Sequence, residues 1–364
     1  MIRILFLFIG CSIGICGCSK SNTPAPGNSS SGGTGGGNNN SSRRPASLGV
    51  VGDTADVVKQ VNAGIVLMGG GADVDAAFKW MIDRSGGGDV VLLRATGTDA
   101  YNSYVYGLGT VNSVETLKID SRDLANNDTV ANIIRNAEML FIAGGDQSDY
   151  MNYWKGTKTG DAINYLLNSK KAPVGGTSAG CAILSGLYYS GENGSVTSAE
   201  ALQEPYLNTI TLHNNDFIKA PGLSQVLSDQ HFLARGREGR TTVFLARIMK
   251  EWNITAKAIA ADERTAVCID KDGIAKVYGD YSTTRPYSYA YFVMPDIAKQ
   301  PEVLAAGKKL TWNNGNKALS VYEIPASVNG GGSVDINTFN AGTATGGKWY
   351  WWWAEEGILH KKEQ

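Results

Sequence analysis

Short apolar runs that end in glycine, separated by stretches of helical character, most narrow what this chain can fold into. Residues 64–68 read Gly-Ile-Val-Leu-Met, give way to Gly69-Gly70-Gly71, and are followed by a helical stretch over about residues 73–85. The rhythm continues with apolar runs at 89–94, 114–119, 138–142 and 172–174, and with helical segments at 129–136 and 161–168. Apolar runs without alternation belong to strands buried on both faces, and strands separated by helices pair in parallel. The expected fold class is therefore α/β: three α/β/α layers around a mostly parallel sheet. In such sheets ligands bind beyond the carboxyl ends of the strands, which directs attention to the loops at 69–71, 144–147 and 175–180.

The second half changes character. Runs at 265–269 and 274–278 flank Asp272-Gly273, a hairpin signal, and further strands are expected at 287–293 and 319–324. All four are expected to extend the same sheet. Residues 46–341 read as one domain, followed by a Trp-rich extension over 342–364 that holds Trp349, Trp351, Trp352 and Trp353 around Tyr350. Such a cluster is either an aromatic contact surface or part of the core, and packing on its own core is the expected state.

The amino terminus is read as an address. Arg3 precedes an apolar stretch that ends in Ile15-Cys16-Gly17-Cys18, after which the chain turns abruptly polar. The layout is that of a signal peptide over residues 1–17, since a membrane-spanning helix needs about 20 apolar residues. Ile-Cys-Gly-Cys resembles a bacterial lipobox, which makes Cys18 the expected lipidated residue and the cell envelope, periplasmic or at the cell surface, the expected location. Residues 18–45 are rich in Ser, Asn and Gly with almost nothing apolar to bury, so they are expected to form a disordered tether.

Charge and cysteine usage exclude other classes. With 33 basic and 34 acidic side chains the formal charge is −1, and no basic run could neutralise a row of phosphates, so nucleic acid is not an expected partner. Of five cysteines only Cys181 and Cys268 lie in the folded body, both in apolar segments where a free buried thiol is expected. The three histidines form no cluster with cysteine at zinc-site spacing; no metal and no cofactor are expected.

Gly176-Thr177-Ser178-Ala179-Gly180 matches the nucleophile-elbow pattern, in which small neighbours let a serine sit on a sharp strand-to-helix turn. Gly10-Cys11-Ser12-Ile13-Gly14 matches it too, so the pattern alone also fits a turn that only packs helix on strand. A serine nucleophile needs a base, and His231 stands in Asp229-Gln230-His231-Phe232, followed by Arg235, Arg237 and Arg240. A capped helix with a solvated arginine face is the competing reading. The third member should be a carboxylate in a loop at a strand end, and Asp262-Glu263 offers two.

Together Gly-Gly-Thr-Ser-Ala-Gly at 175–180, Asp-Gln-His-Phe with three spaced arginines at 229–240, Asp-Glu-Arg-Thr-Ala at 262–266 and Gly-Gly-Asp-Gln at 144–147 resemble the signature blocks of the cyanophycinases. The resemblance runs from about residue 64 to 324. It implies a class I glutamine amidotransferase-like fold, shared with the aspartyl dipeptidases, and a serine-type exopeptidase that hydrolyses aspartyl peptide bonds. Cyanophycin is a poly-aspartate with arginine joined to each side chain, and the product implied is β-aspartyl-arginine. Carried over position by position, the resemblance implies Ser178 as nucleophile, His231 as base and Glu263 rather than Asp262 as its partner. It implies the amides of Gly145 and Ala179 as oxyanion hole, and Gln147, Asp229, Gln230, Arg235, Arg237 and Arg240 as substrate contacts.

The expected function is thus a lipid-anchored serine peptidase acting on cyanophycin or a related aspartyl peptide, with a homodimer compatible with it. Two alternatives stay open on the sequence: a binding lipoprotein that keeps the fold without catalysis, and an aspartyl dipeptidase of different specificity. The amino-terminal reading has a direct test. Expressed in a host that processes lipoproteins, the mature protein should begin at a diacylated Cys18 by mass spectrometry, and a chain still beginning at Met1 would contradict it.

Overall fold

The computed structural model describes residues 44–280 and 288–364, which lie within one compact unit, 43–364. The expected signal peptide, Cys18 and most of the expected tether fall outside the described residues.

Nine of the described strands form a first sheet, in the order Ser47–Gly52, Ser113–Lys118, Asp89–Arg94, Met139–Ile142, Pro173–Thr177, Gly64–Met68, Thr265–Asp270, Ile274–Gly279 and Gly331–Asp335. The five strands from Ser113–Lys118 to Gly64–Met68 run parallel. The flanking pairings are antiparallel. Alternation along each strand divides the side chains between two cores. Val66, Met68, Val90 and Leu92 pack with Phe78 and Met81 of the helix Asp75–Arg84. Ile65, Leu67, Val91 and Leu93 face the helices Asp128–Asn136, Gln147–Trp154 and Lys158–Tyr165 through Ile134, Trp154 and Ile163. The three α/β/α layers are present, and the parallel pairing within them is confined to the central five strands.

The later strands correct the expectation of one continued sheet. Thr265–Asp270 and Ile274–Gly279 do join the first sheet, but the open edge beside them is occupied by Gly331–Asp335. Tyr289–Pro295 and Leu319–Pro325 instead build a second sheet of eight described strands. Its order is Ile358–Glu363, Lys348–Glu355, Leu319–Pro325, Tyr289–Pro295, Lys257–Ala261, Val226–Gln230, Leu187–Tyr189, Leu212–Asn214. One face of this sheet, through Ile259, Phe292 and Ile324, packs into the core it shares with the first sheet. The other face, through Ala258, Ala260 and Tyr291, is covered by the helix Glu238–Trp252.

The Trp-rich extension is part of that second sheet. Lys348–Glu355 pairs antiparallel with Leu319–Pro325 and then with Ile358–Glu363. Trp352 is 2% exposed and lies parallel to Phe232, with ring centroids 6.2 Å apart. Trp351, half-buried on the opposite face of the strand, lies under the ammonium groups of Lys299 and Lys317. Removing a fully buried indole forfeits both transfer energy and packing. Trp352→Ala should therefore cost about 3–5 kcal/mol in denaturant unfolding, and Trp351→Ala no more than about 1 kcal/mol. Equal losses would show that the strand does not divide its tryptophans in this way.

Candidate active site

The parallel registers of the two sheets bring the chemistry-bearing loops to one place. In the first sheet Met68 pairs with Thr177, so the next residues, Gly69 and Ser178, are neighbours. In the second, Gln230 pairs with Ala261, which sets His231 beside Asp262 and Glu263. The glycine loop joins the two sets through consecutive carbonyls. The N–H groups of Ser178, His231 and Arg264 donate to the carbonyls of Met68, Gly69 and Gly70 at 3.1, 2.8 and 2.9 Å.

Only glycine fits there. A Cβ on Gly69 would stand 1.8 Å from the Asp262 carbonyl oxygen, and one on Gly70 2.4 Å from Cε1 of His231. The nucleophile-elbow geometry is present at Ser178, which has φ 52° and ψ −118° between the strand Pro173–Thr177 and the short helix Ala179–Ala182. That conformation costs a non-glycine residue of order 1–3 kcal/mol and persists only where the surroundings enforce it. Here the helix lies so close to the neighbouring strand Met139–Ile142 that a Cβ on Gly180 would be 2.2 Å from the Ile142 carbonyl oxygen.

The side chains complete a relay. Ser178 Oγ is 2.8 Å from His231 Nε2, and His231 Nδ1 is 2.8 Å from Glu263 Oε1. A carboxylate only accepts, so it fixes the tautomer: Nδ1–H donates to Glu263, and Nε2 is left to accept from the Ser178 hydroxyl. Burial pushes the His231 pKa below its ordinary value and the nearby Arg235 and Arg237 push the same way, while the hydrogen bond to Glu263 opposes them. The ring is thereby kept neutral, the state in which a histidine takes up a proton. His213 and His360 lie elsewhere, the first between Glu192 and Asp216 and the second stacked on Trp353.

A second glycine loop faces the serine. A Cβ on Gly144 would lie 3.3 Å from Ser178 Cβ, and Asp146 caps the helix Gln147–Trp154 by accepting from the Ser148 N–H. Ala179 opens its helix, where the backbone N–H has no partner within the helix. The amides of Gly145 and Ala179 thus both belong to segments that flank Ser178.

The chain also matches a known family in sequence. The model of peptidase family S51 matches residues 65–277. The chain belongs to peptidase family S51. The S51 chain is accordingly a serine peptidase. Among solved structures it is similar to a peptidase from an acI-B1 Actinobacterium, at 15% identity over 64% of this chain and 91% of that one, with a TM-score of 0.45. It is also similar to a putative peptidase E protein from Listeria monocytogenes EGD-e, at 16% identity over 61% of this chain and all of that one, with a TM-score of 0.37. No curated protein matches the chain.

The residues expected to contact substrate separate into two groups. Arg235 is exposed beside His231, Arg237 donates to the Gln230 carbonyl at 2.8 Å, and Gln147 Nε2 lies 3.5 Å from the Tyr189 carbonyl. Burial pushes the Arg237 pKa down to about 10, with Asp229 opposing, so it stays charged at neutral pH. Asp229 and Arg240 correct the expectation. They are 2% and 3% exposed, and Arg240 grips both Asp229 oxygens while the Thr241 hydroxyl donates at 2.7 Å. Burial raises the Asp229 pKa, but Arg240 and Arg237 outweigh it and hold the carboxyl below the usual range. Arg240 turns inward because it stands one helical turn before Phe244 on the buried face of the helix Glu238–Trp252. Gln230 is buried as well. Cys181 and Cys268 are free and buried, with thiol pKa values raised by burial. Among the described residues no group of three or more His, Cys, Asp or Glu side chains could hold a metal.

The electrostatics of the relay can be read from the His231 ring by NMR. Its titration midpoint should fall below 6.5, the ordinary histidine value. Arg235→Gln should move it up and Glu263→Gln should move it down. A midpoint above 6.5 in the unaltered protein, or opposite shifts in the variants, would overturn this account.

Proposed function

We propose that this serine peptidase hydrolyses aspartyl peptides of the β-aspartyl-arginine type, cyanophycin among them, with Ser178 as nucleophile, His231 as base and Glu263 as the group that orients it. The unbroken hydrogen-bonded chain from Ser178 through His231 to Glu263 is the observation that carries the reading. His231 takes the hydroxyl proton as Oγ attacks the carbonyl carbon, and returns it to the departing amine. The amides of Gly145 and Ala179 flank the serine where the negative oxygen of the tetrahedral intermediate would form. Water then repeats the attack on the acyl-enzyme with the same base.

Arg235 and Arg237 supply the selectivity in this reading, since a guanidinium matches a carboxylate in charge and shape and each β-aspartyl-arginine unit carries a free carboxylate on its arginine. Anchoring through Cys18 would place the reaction at the cell envelope.

Three variants test these roles separately. Ser178→Ala should lower turnover of an aspartyl peptide by at least about 1000-fold with an unchanged melting temperature. Arg235→Ala should leave the fold intact and raise KM by roughly 10- to 150-fold, the worth of one charged hydrogen bond to substrate. Arg240→Ala should act on stability instead, costing up to about 3–5 kcal/mol, because it leaves Asp229 buried with only Arg237, 3.5 Å away, and the Thr241 hydroxyl as partners. Mass spectrometry of products from purified cyanophycin should show β-aspartyl-arginine. Equal hydrolysis of an aspartyl peptide and of its amide counterpart would end the case for carboxylate recognition.

A further inference from the structure

Asp262 precedes Glu263 and has the opposite environment. It is fully buried, whereas the Glu263 side chain keeps 28% of its exposure. Its Oδ1 accepts from the Leu233 N–H at 2.5 Å. Leu233 is the second residue past His231, in a turn closed by the Arg235 N–H on the His231 carbonyl at 3.0 Å and the Gly236 N–H on the Leu233 carbonyl at 2.9 Å. The Asp262 backbone is fastened on both sides, its N–H donating to the Tyr289 carbonyl at 3.0 Å and its carbonyl accepting from the Thr265 N–H at 3.2 Å. A group held rigidly by the second sheet thus reaches across to hold the turn that presents the histidine.

That turn needs holding. His231 has φ 48°, a left-handed conformation that a residue with a Cβ adopts only when its neighbours over-determine it. The Gly69 carbonyl fixes the amide at the start of the turn, and Asp262 fixes the one two residues later.

We propose that Asp262 is a positioning residue of the active site: by holding the Leu233 amide it fixes the turn carrying His231, and so keeps the ring in line between Ser178 and Glu263. This rests on the reading of those three residues as the catalytic machinery. The oxygen that does the holding is an acceptor whether or not the carboxyl carries a proton on its other oxygen. Burial pushes the Asp262 pKa up to about 7; the Leu233 and Tyr289 amides oppose this, and the Glu238 and Glu323 carboxylates reinforce it. The Tyr291 phenol faces the same carboxyls. A neutral amide at position 262 therefore keeps the acceptor and loses the titration, its NH2 group taking the place of the buried Oδ2, which has no hydrogen-bond partner among the described residues.

Between its ordinary value of 3.8 and about 7, the folded protein holds a proton on Asp262 that the unfolded chain has released. This group therefore makes stability fall as pH rises through that window, and Asp262→Asn removes its part of the slope.

The test uses a fluorophosphonate probe, which a serine attacks at phosphorus with loss of fluoride, so its rate reads the Ser178–His231–Glu263 relay without regard to peptide preference. Wild type should be labelled at Ser178; labelling that is absent there, or unaffected by Ser178→Ala, would sink the underlying catalytic reading itself. Given labelling, Asp262→Ala should slow it about 10- to 100-fold, as displacement of a catalytic group does. Its kcat on an aspartyl peptide should fall in step, with KM within about twofold. Asp262→Asn should label within about threefold of wild type and show a flatter melting temperature between pH 4 and 7. A folded Asp262→Ala variant labelled at the wild-type rate would overturn the proposal. Should that variant fail to fold, Asp262→Asn decides: retained labelling supports it, and a folded Asn variant slowed more than about 10-fold overturns it.

Discussion

The site depends on a backbone without side chains. Gly69, Gly70 and Gly71 form the one segment against which the strand ends of both sheets close, and their lack of Cβ atoms sets how near those ends can come. The carbonyls of Met68, Gly69 and Gly70 take the amides of Ser178, His231 and Arg264 in turn, so the spacing of the site follows that of three consecutive residues. Side chains then finish what the backbone has arranged. The relay from Ser178 to Glu263 is a consequence of this meeting, since neither sheet alone contains both the serine and the histidine.

Neighbouring residues of like chemistry are assigned different tasks by burial. Asp262 and Glu263 are both carboxylic acids, yet one is sealed among backbone amides and the other reaches the ring of His231. Arg235 and Arg240 are separated by little more than one helical turn, yet one stands in the exposed loop beside His231 and the other is consumed by Asp229. An arginine bidentate on a buried aspartate and itself only 3% exposed is out of a substrate's reach, so its charge serves the fold.

Much of this is legible in the chain itself. The central parallel strands are, because a continuous apolar run that stops at glycine is too short for a buried helix and too uniform for a strand with one wet face. The meeting of Ser178, His231 and Glu263 is expected, because four blocks that resemble those of one family occur in order. The second sheet was not. The runs at 289–295 and 319–325 put apolar residues on both faces, and a strand buried on both sides does not say which sheet it joins; that is decided by Gly331–Asp335 taking the competing edge. The inward turn of Arg240 did leave a signal, its spacing of four from Phe244 on an apolar helix face, but the density of arginines around it suggested a single cleft-lining set. The bond from Asp262 to Leu233 left none, because it links a side chain to a backbone amide far away in the sequence.

The serine follows a strand of the first sheet and the histidine a strand of the second, while the acid lies on the loop that passes from Lys257–Ala261 to Thr265–Asp270, so the 2.8 Å gap between Oγ and Nε2 is measured across a seam. Proton transfer over such a gap tolerates little displacement, while the packed faces on either side can slide by a fraction of an ångström and remain packed. The active site is therefore a gauge of how the two sheets are seated. On the proposed catalytic reading, a mutation in the shared core that shifts this gap would lower activity before it unfolds the protein.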